Sequence, residues 1–302
     1  MTHSLRNLCF ILSFTSVALA LVTPRRPISA ANLHRASSLS SSSSVRIEAD
    51  EPSVGVALCE IIRDACQESV TEKGAFSFAI SGGSMLKMLA NLADAEDVPW
   101  NKCSMAFVSH RCVPLDDAGA TYGKALPLFL GAWISRGLEV IVPLGSTDSE
   151  AEADSYEAAL AALPPRVLAR RSDSSLPVFD LTLIGVGRDG HVGSIYPDMD
   201  DTAATRAVVP VTGVDGMGQL STKISLSLAA MRASRRAVVA CAGKSPKAPL
   251  GKAEAMVRAL EGTDETPRSF PASALRDTAT WLLDEDSAVL LSGTTTGRVR
   301  DP

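Results

Sequence analysis

Histidine is scarce in this 302-residue chain, with four copies, and clustered positive charge is scarcer still. The 29 basic and 34 acidic residues give a formal net charge of -5, and no basic block stands in the body of the chain to neutralise a nucleic-acid backbone. Nucleic acid is therefore not an expected partner. No apolar run reaches the ~20 residues that a permanent membrane-spanning helix needs. Cysteine supplies no framework: past Cys9 there are Cys59, Cys66, Cys103, Cys112 and Cys241, an odd number without a Cys-x-x-Cys pair. That spacing argues against a disulfide scaffold or a structural zinc site and for buried free thiols. With 46% hydrophobic and 21% charged positions the chain is far from the composition of a disordered protein and can bury a substantial core.

Acid is absent from residues 1–47, which hold Arg6, Arg25, Arg26, Arg35 and Arg46, whereas residues 48–302 carry 24 basic against 34 acidic residues, a net of -10. Arg6 precedes an apolar run from Leu8 to Val22, and Ala18-Leu19-Ala20 offers the small-x-small pattern that signal peptidase accepts, so residues 1–20 are predicted to be a signal peptide. Residues 21–47 turn to Arg, Ser, Pro and Ala, with the Ser40 to Ser44 tract, and have the makeup of a transit peptide. A signal peptide followed by a transit peptide resembles the two-part presequences of algae whose plastids lie behind extra membranes. The expected destination is a plastid; the alternative is secretion, with the Ser-rich segment as a linker.

Residues 48–302 have the size of one large domain and contain no internal repeat or linker. Val54, Val56, Leu58, Ile61, Ile62 and Ala65 are spaced as the buried stripe of a first helix. A strand is predicted over Phe76 to Ile80 and a helix over Ser84 to Ala93. Further short apolar runs follow at Met105 to Val108, Leu138 to Pro143, Phe179 to Ile184, Lys223 to Leu228, Ala237 to Ala242 and Ala279 to Leu283. Helical stretches, notably Ser149 to Leu163 and Pro249 to Leu260, separate most of them. This alternation predicts a single three-layer α/β/α Rossmann-like domain with a mostly parallel sheet, which binds ligands at the carboxyl ends of its strands.

Two segments carry chemistry. Ser81-Gly82-Gly83-Ser84 joins the first strand to a helix; glycine lets a ligand approach the backbone, and the free amides of a helix start favour an anion. Neither a Walker loop nor a dinucleotide-binding glycine turn is present. The second segment, Phe179 to Pro197, runs from a buried strand through Gly185, Gly187 and Gly190 to His191. An imidazole titrates near neutrality and can take a proton from water and return it to a leaving oxygen. Apart from His3 and His34 in the presequence, only His110 accompanies it, and neither His110 nor His191 has neighbours at metal-ligand spacing.

Several stretches resemble the 6-phosphogluconolactonase family, which shares a fold with glucosamine-6-phosphate deaminase. They are the SGGS turn, VSHRCVPLDDAGATYG at 108–123, FDLTLIGVGRDGHVGSIYPD at 179–198, KISLSLAAMRAS at 223–234, AGKSPK at 242–247 and FPASAL at 270–275. The deaminases have Asn-Glu-Pro after their histidine; Ser194-Ile195-Tyr196-Pro197-Asp198 resembles the lactonase form. The resemblance implies hydrolysis of 6-phospho-D-glucono-1,5-lactone, the second step of the oxidative pentose phosphate pathway, without metal or organic cofactor. It further implies that His191 transfers the proton, that Gly82, Gly83, Ser84 and Arg111 line the sugar-phosphate site, and that a lysine from 244–247 approaches it. Lys247 is the expected one because an alanine follows it, with Lys244 the other possibility. Asp189 is expected either to orient His191 or only to shape the turn.

Two departures stand out. Where the family has Asp-Glu-Arg this chain has Ser109-His110-Arg111, and where an arginine opens the strand at 223 there is Lys223, a cation without bidentate geometry. They motivate a second reading, a non-catalytic or altered-specificity sugar-phosphate binding protein of the same fold.

Overall fold

In the computed structural model of the chain, the described residues are 44–200, 205–214, 220–244 and 248–296. Residues 1–43, with the expected signal peptide and most of the transit-like segment, lie outside them, as does Lys247.

Apolar runs with no polar alternation make strands that are buried on both faces. The strands are β1 (Ser44–Glu48), β2 (Phe76–Ile80), β3 (Cys103–Phe107), β4 (Ser109–Arg111), β5 (Glu139–Val140), β6 (Ala169–Arg170), β7 (Pro177–Val178), β8 (Leu181–Ile184), β9 (Val208–Val214), β10 (Leu220–Leu226), β11 (Ala237–Cys241) and β12 (Ala279–Asp284), and β2, β3, β8 and β11 are buried along their whole length. Seven of these build one parallel sheet in the order β1-β12-β11-β8-β2-β3-β5. Successive side chains enter opposite layers: Phe76, Phe78 and Ile80 join one core cluster with Met105 and Phe107, whereas Ala79, Ala106 and Val108 join the other. Both faces are covered, which is the three-layer arrangement predicted.

Helix α1 (Glu51–Lys73) packs Val54, Leu58, Ile62 and Cys66 into the first cluster. Asp50 caps it by accepting from the Ser53 amide at 2.8 Å, Pro52 sits in its first turn, and Gly74 ends it in the left-handed region at φ 76°. All five cysteines of the body are free and buried.

The structure corrects four boundaries. The junction expected between residues 47 and 48 falls inside β1, which pairs with β12 from Ser44 opposite Thr280 to Glu48 opposite Asp284. Residues 44–47 are therefore part of the sheet. The run at Leu138 to Pro143 yields only the two-residue β5, because this edge position has a partner on one side, β3, alone. The strand beginning near Lys223 leaves the main sheet: β10 pairs antiparallel with β4 and β9 in a small separate sheet. The helix expected from Pro249 starts instead at Ala253, since residues up to Lys252 are spent on a turn around Gly251 at φ 53°.

Candidate active site

Three neighbouring strands of the main sheet, β8, β2 and β3, deliver loops to a cavity of about 420 Å³ at their carboxyl ends. From β2 come Ser81, Gly82, Gly83 and Ser84; from β3, through the short β4, come Ser109, His110 and Arg111; from β8 come Gly185, Val186, Gly187 and His191. Ser81 ties two of these loops together, because its hydroxyl accepts from the Gly185 amide at 3.2 Å while its own amide donates to the Leu183 carbonyl at 2.9 Å. Gly83 takes φ 70° ahead of helix α2 (Ser84–Leu89), a conformation that favours glycine, and no side chain caps that helix start.

Asp189 and His191 meet directly. The Asp189 Oδ1 atom lies 2.6 Å from His191 Nδ1 and also accepts from the His191 amide at 3.3 Å. A carboxylate only accepts, so Nδ1 carries the proton of this bond and Nε2 is left with the lone pair. Asp189 thus shapes the turn and holds the ring at once. Burial works against its charged form, but the charge and hydrogen bonds of His191 outweigh burial and hold its pKa below the ordinary value. The loop is clamped from outside as well: the Gly190 carbonyl accepts from the Ala272 amide at 2.9 Å, and Phe270 leaves no room for a side chain on Gly190.

Among the described residues, three cations line the cavity: Arg111, Lys223 and Lys252. Arg111 and Lys223 face each other across the β4 and β10 pairing. Of the lysines near the end of β11, the one that lines the cavity among the described residues is Lys252. Lys244 Nζ is exposed and bonded to Asp286 Oδ1 at 2.7 Å, away from the cavity, and Lys247 lies outside the described residues. Lys252 enters because the chain folds tightly after β11: the Gly243 amide donates to the buried Asp284 at 2.7 Å, and Gly251 packs against the Gly243 carbonyl. The signal that favoured Lys247, a following alanine, is equally present at Lys252-Ala253.

His110 is 2% exposed. Its Nδ1 donates to the Arg111 carbonyl at 2.7 Å and its Nε2 accepts from the Tyr122 amide at 3.1 Å, which caps the start of helix α3 (Thr121–Ala125). Both ring nitrogens are spent on backbone. Burial pushes this imidazole below its ordinary 6.5, against the opposing pull of the Arg111 carbonyl and of Glu152. Tyr196, Thr121 and Ser194 also line the cavity; the sequence offered no local sign of this, since each is brought in by a turn.

An imidazole bonded to a carboxylate beside three cations, at the carboxyl edge of a parallel sheet, defines an α/β protein equipped for proton transfer on an anionic ligand. The chain belongs to the glucosamine-6-phosphate isomerase/6-phosphogluconolactonase family, whose model matches residues 49–283. It is 29% identical over 249 residues to 6-phosphogluconolactonase 3, chloroplastic, of Arabidopsis thaliana, covering 79% of this chain and 72% of the relative. Identity to the 6-phosphogluconolactonase of Bos taurus is also 29% over 249 residues, covering 79% and 90%. Among solved structures, the 6-phosphogluconolactonase of Trypanosoma brucei superposes with a TM-score of 0.69 at 24% identity, covering 83% of this chain and 99% of that one. A monomeric glucosamine-6-phosphate deaminase gives 0.62 at 19% identity, covering 82% and 99%. The two structural likenesses confirm the fold.

Proposed function

We infer that this chain hydrolyses 6-phospho-D-glucono-1,5-lactone to 6-phospho-D-gluconate. Family membership and the curated lactonases it resembles support the reaction. The observation that carries the mechanism is the 2.6 Å contact between His191 and Asp189, set beside Arg111, Lys223 and Lys252.

The phosphate of the substrate sits among the three cations and the amides of the Gly82 to Ser84 turn, which fixes the ring. A hydrogen bond between a charged side chain and that phosphate contributes about 1.5 to 3 kcal/mol. His191 Nε2 takes a proton from water as the water oxygen bonds to the lactone carbonyl carbon. The resulting tetrahedral intermediate collapses by breaking the bond to the ring oxygen, which receives the proton from the imidazolium. Asp189 keeps the tautomer and steadies the cation that forms in between. Proton transfer of this kind is worth about 10² to 10⁴ in rate.

The rival reading, a sugar-phosphate binder without catalysis, rests on Ser109 and His110. It loses ground because His110 is committed to backbone on both nitrogens and takes nothing from the His191 and Asp189 pair. A coupled assay with 6-phosphogluconate dehydrogenase, corrected for spontaneous lactone opening, decides between them: an enzyme-dependent rate supports hydrolysis, and binding with no rate supports the rival.

The plastid is the proposed destination, supported by the order of the two N-terminal segments and by plant relatives named chloroplastic. A fluorescent reporter behind residues 1–47 should enter the plastid of an alga with a complex plastid, and residues 1–20 alone should reach only the secretory route. Delivery of the longer fusion to the medium would mean that the Ser-rich segment is a linker.

A further inference from the structure

We propose that Tyr196 is a positioning residue whose ring holds the His191 imidazole in its working orientation; this rests on the lactonase reading above. The single hydrogen bond to Asp189 fixes one edge of the His191 ring, but the second side-chain torsion of histidine has a broad well and a ring tethered at one atom can still swing. The His191 side chain is 32% exposed, so solvent does not confine it. Tyr196 supplies the missing wall: its ring centroid lies 4.7 Å from that of His191 at an interplanar angle of 39°.

Tyr196 is itself held at three points. Pro197 follows it and restricts its backbone to extended conformations. Its amide lies 3.2 Å from Met199 Sδ. Its hydroxyl accepts from Lys223 Nζ at 2.6 Å, and the same ammonium stands 5.0 Å from the ring centroid. Lys223 is in turn fixed on β10 between Arg111 of β4 and Val211 of β9. A chain of contacts therefore runs from the small antiparallel sheet through Lys223 and Tyr196 to His191 and Asp189. An arginine at 223 would bring a broader, planar donor to this hydroxyl, so the lysine found here suits a tyrosine at 196.

The test compares Tyr196→Ala and Tyr196→Phe with the wild type in the coupled lactone assay, after thermal melts establish that each variant is folded. The positioning role predicts that Tyr196→Ala lowers kcat about tenfold or more with KM within about threefold, because orientation of the reacting group is lost while phosphate binding is kept. Tyr196→Phe keeps the ring and loses only its anchor, so its kcat should stay within about fourfold of wild type. A Phe variant as impaired as the Ala variant would overturn the proposal and make the hydroxyl the working group. So would an Ala variant with wild-type kcat. Carbon-13 relaxation of the His191 ring in histidine-labelled protein, read without substrate, separates this proposal from the lactonase reading. The ring should become more mobile in Tyr196→Ala and not in Tyr196→Phe; unchanged mobility in both contradicts the proposal whether or not lactone is turned over. Wild-type protein that fails in the assay yet shows that ring behaviour would sink the lactonase reading alone.

Discussion

A Cβ on Gly187 would lie 2.1 Å from Nδ1 of His191, closer than any non-bonded pair can stand. The same atom would come within 2.5 Å of Asp189 Oδ1. The two side chains thus lie on the bare backbone of Gly187, and this glycine is demanded by the histidine rather than by its own conformation. Both obstacles are movable side chains, so Gly187→Ala should displace the pair and spare the fold. Misplacing a reacting group by about 1 Å costs on the order of 10²-fold. The expected result is a melting temperature close to wild type with kcat reduced to that extent, read from melts and the coupled assay together.

Lys252 and Lys244 should part company. Lys252→Ala removes a cation from the cavity and is expected to lower kcat/KM about 10- to 100-fold, mainly through KM, as the loss of one charged hydrogen bond implies. Lys244→Ala breaks only an exposed pair with Asp286 and should leave both constants nearly unchanged. The reverse ranking would move the phosphate away from the cavity described.

His110 is expected to matter for stability and little for turnover. His110→Ala strands the Tyr122 amide, at a cost of about 1 to 3 kcal/mol, whereas the Arg111 carbonyl keeps the Val113 amide at 3.0 Å, and turnover stays within about tenfold. The pH dependence follows from its lowered pKa. The unfolded chain takes up a proton near 6.5 whereas the folded chain resists it, so the unfolded state binds more protons just below that value. Stability is therefore whole above pH 6.5 and drains as the pH falls below it. Melts at pH 7.5 and 5.5 should show a drop in wild type that is smaller in His110→Ala; an equal drop would locate the acid sensitivity elsewhere.

What the sequence made legible and what it hid have physical causes. The strands beside the site were readable because a parallel strand covered on both faces is a continuous apolar run, as at Phe76 to Ile80 and Leu181 to Ile184. The Gly187 to His191 turn was readable because glycines crowd only where the backbone must be bare. β1 was hidden because it ends a serine tract and only Val45 in it is fully buried; its pairing partner lies more than two hundred residues away. Lys252 and Tyr196 were hidden because their settings depend on contacts outside their own turns: the Gly243 loop against which Gly251 folds is tied to Asp284, 41 residues on, and the Tyr196 hydroxyl to Lys223, 27 residues on.

Removing residues 1–48 should therefore destabilise the protein relative to removing residues 1–40. The loss includes the burial of Val45 and the ladder to β12, and burying such a side chain alone is worth about 1.5 to 3 kcal/mol. For a domain of this size a deficit of about 2 kcal/mol is a fall of about 4 to 8 °C in melting temperature. Equal melting temperatures would show that β1 contributes nothing and would restore the boundary at residue 48.

The central claim, that His191 moves the proton in lactone hydrolysis, is met most directly by one comparison. Wild type and His191→Ala are assayed side by side for 6-phosphogluconate formation, each corrected for spontaneous opening, with melts to establish that both are folded. The account predicts that the variant binds substrate and loses at least about 10²-fold in kcat. A folded His191→Ala protein within tenfold of wild type would contradict it.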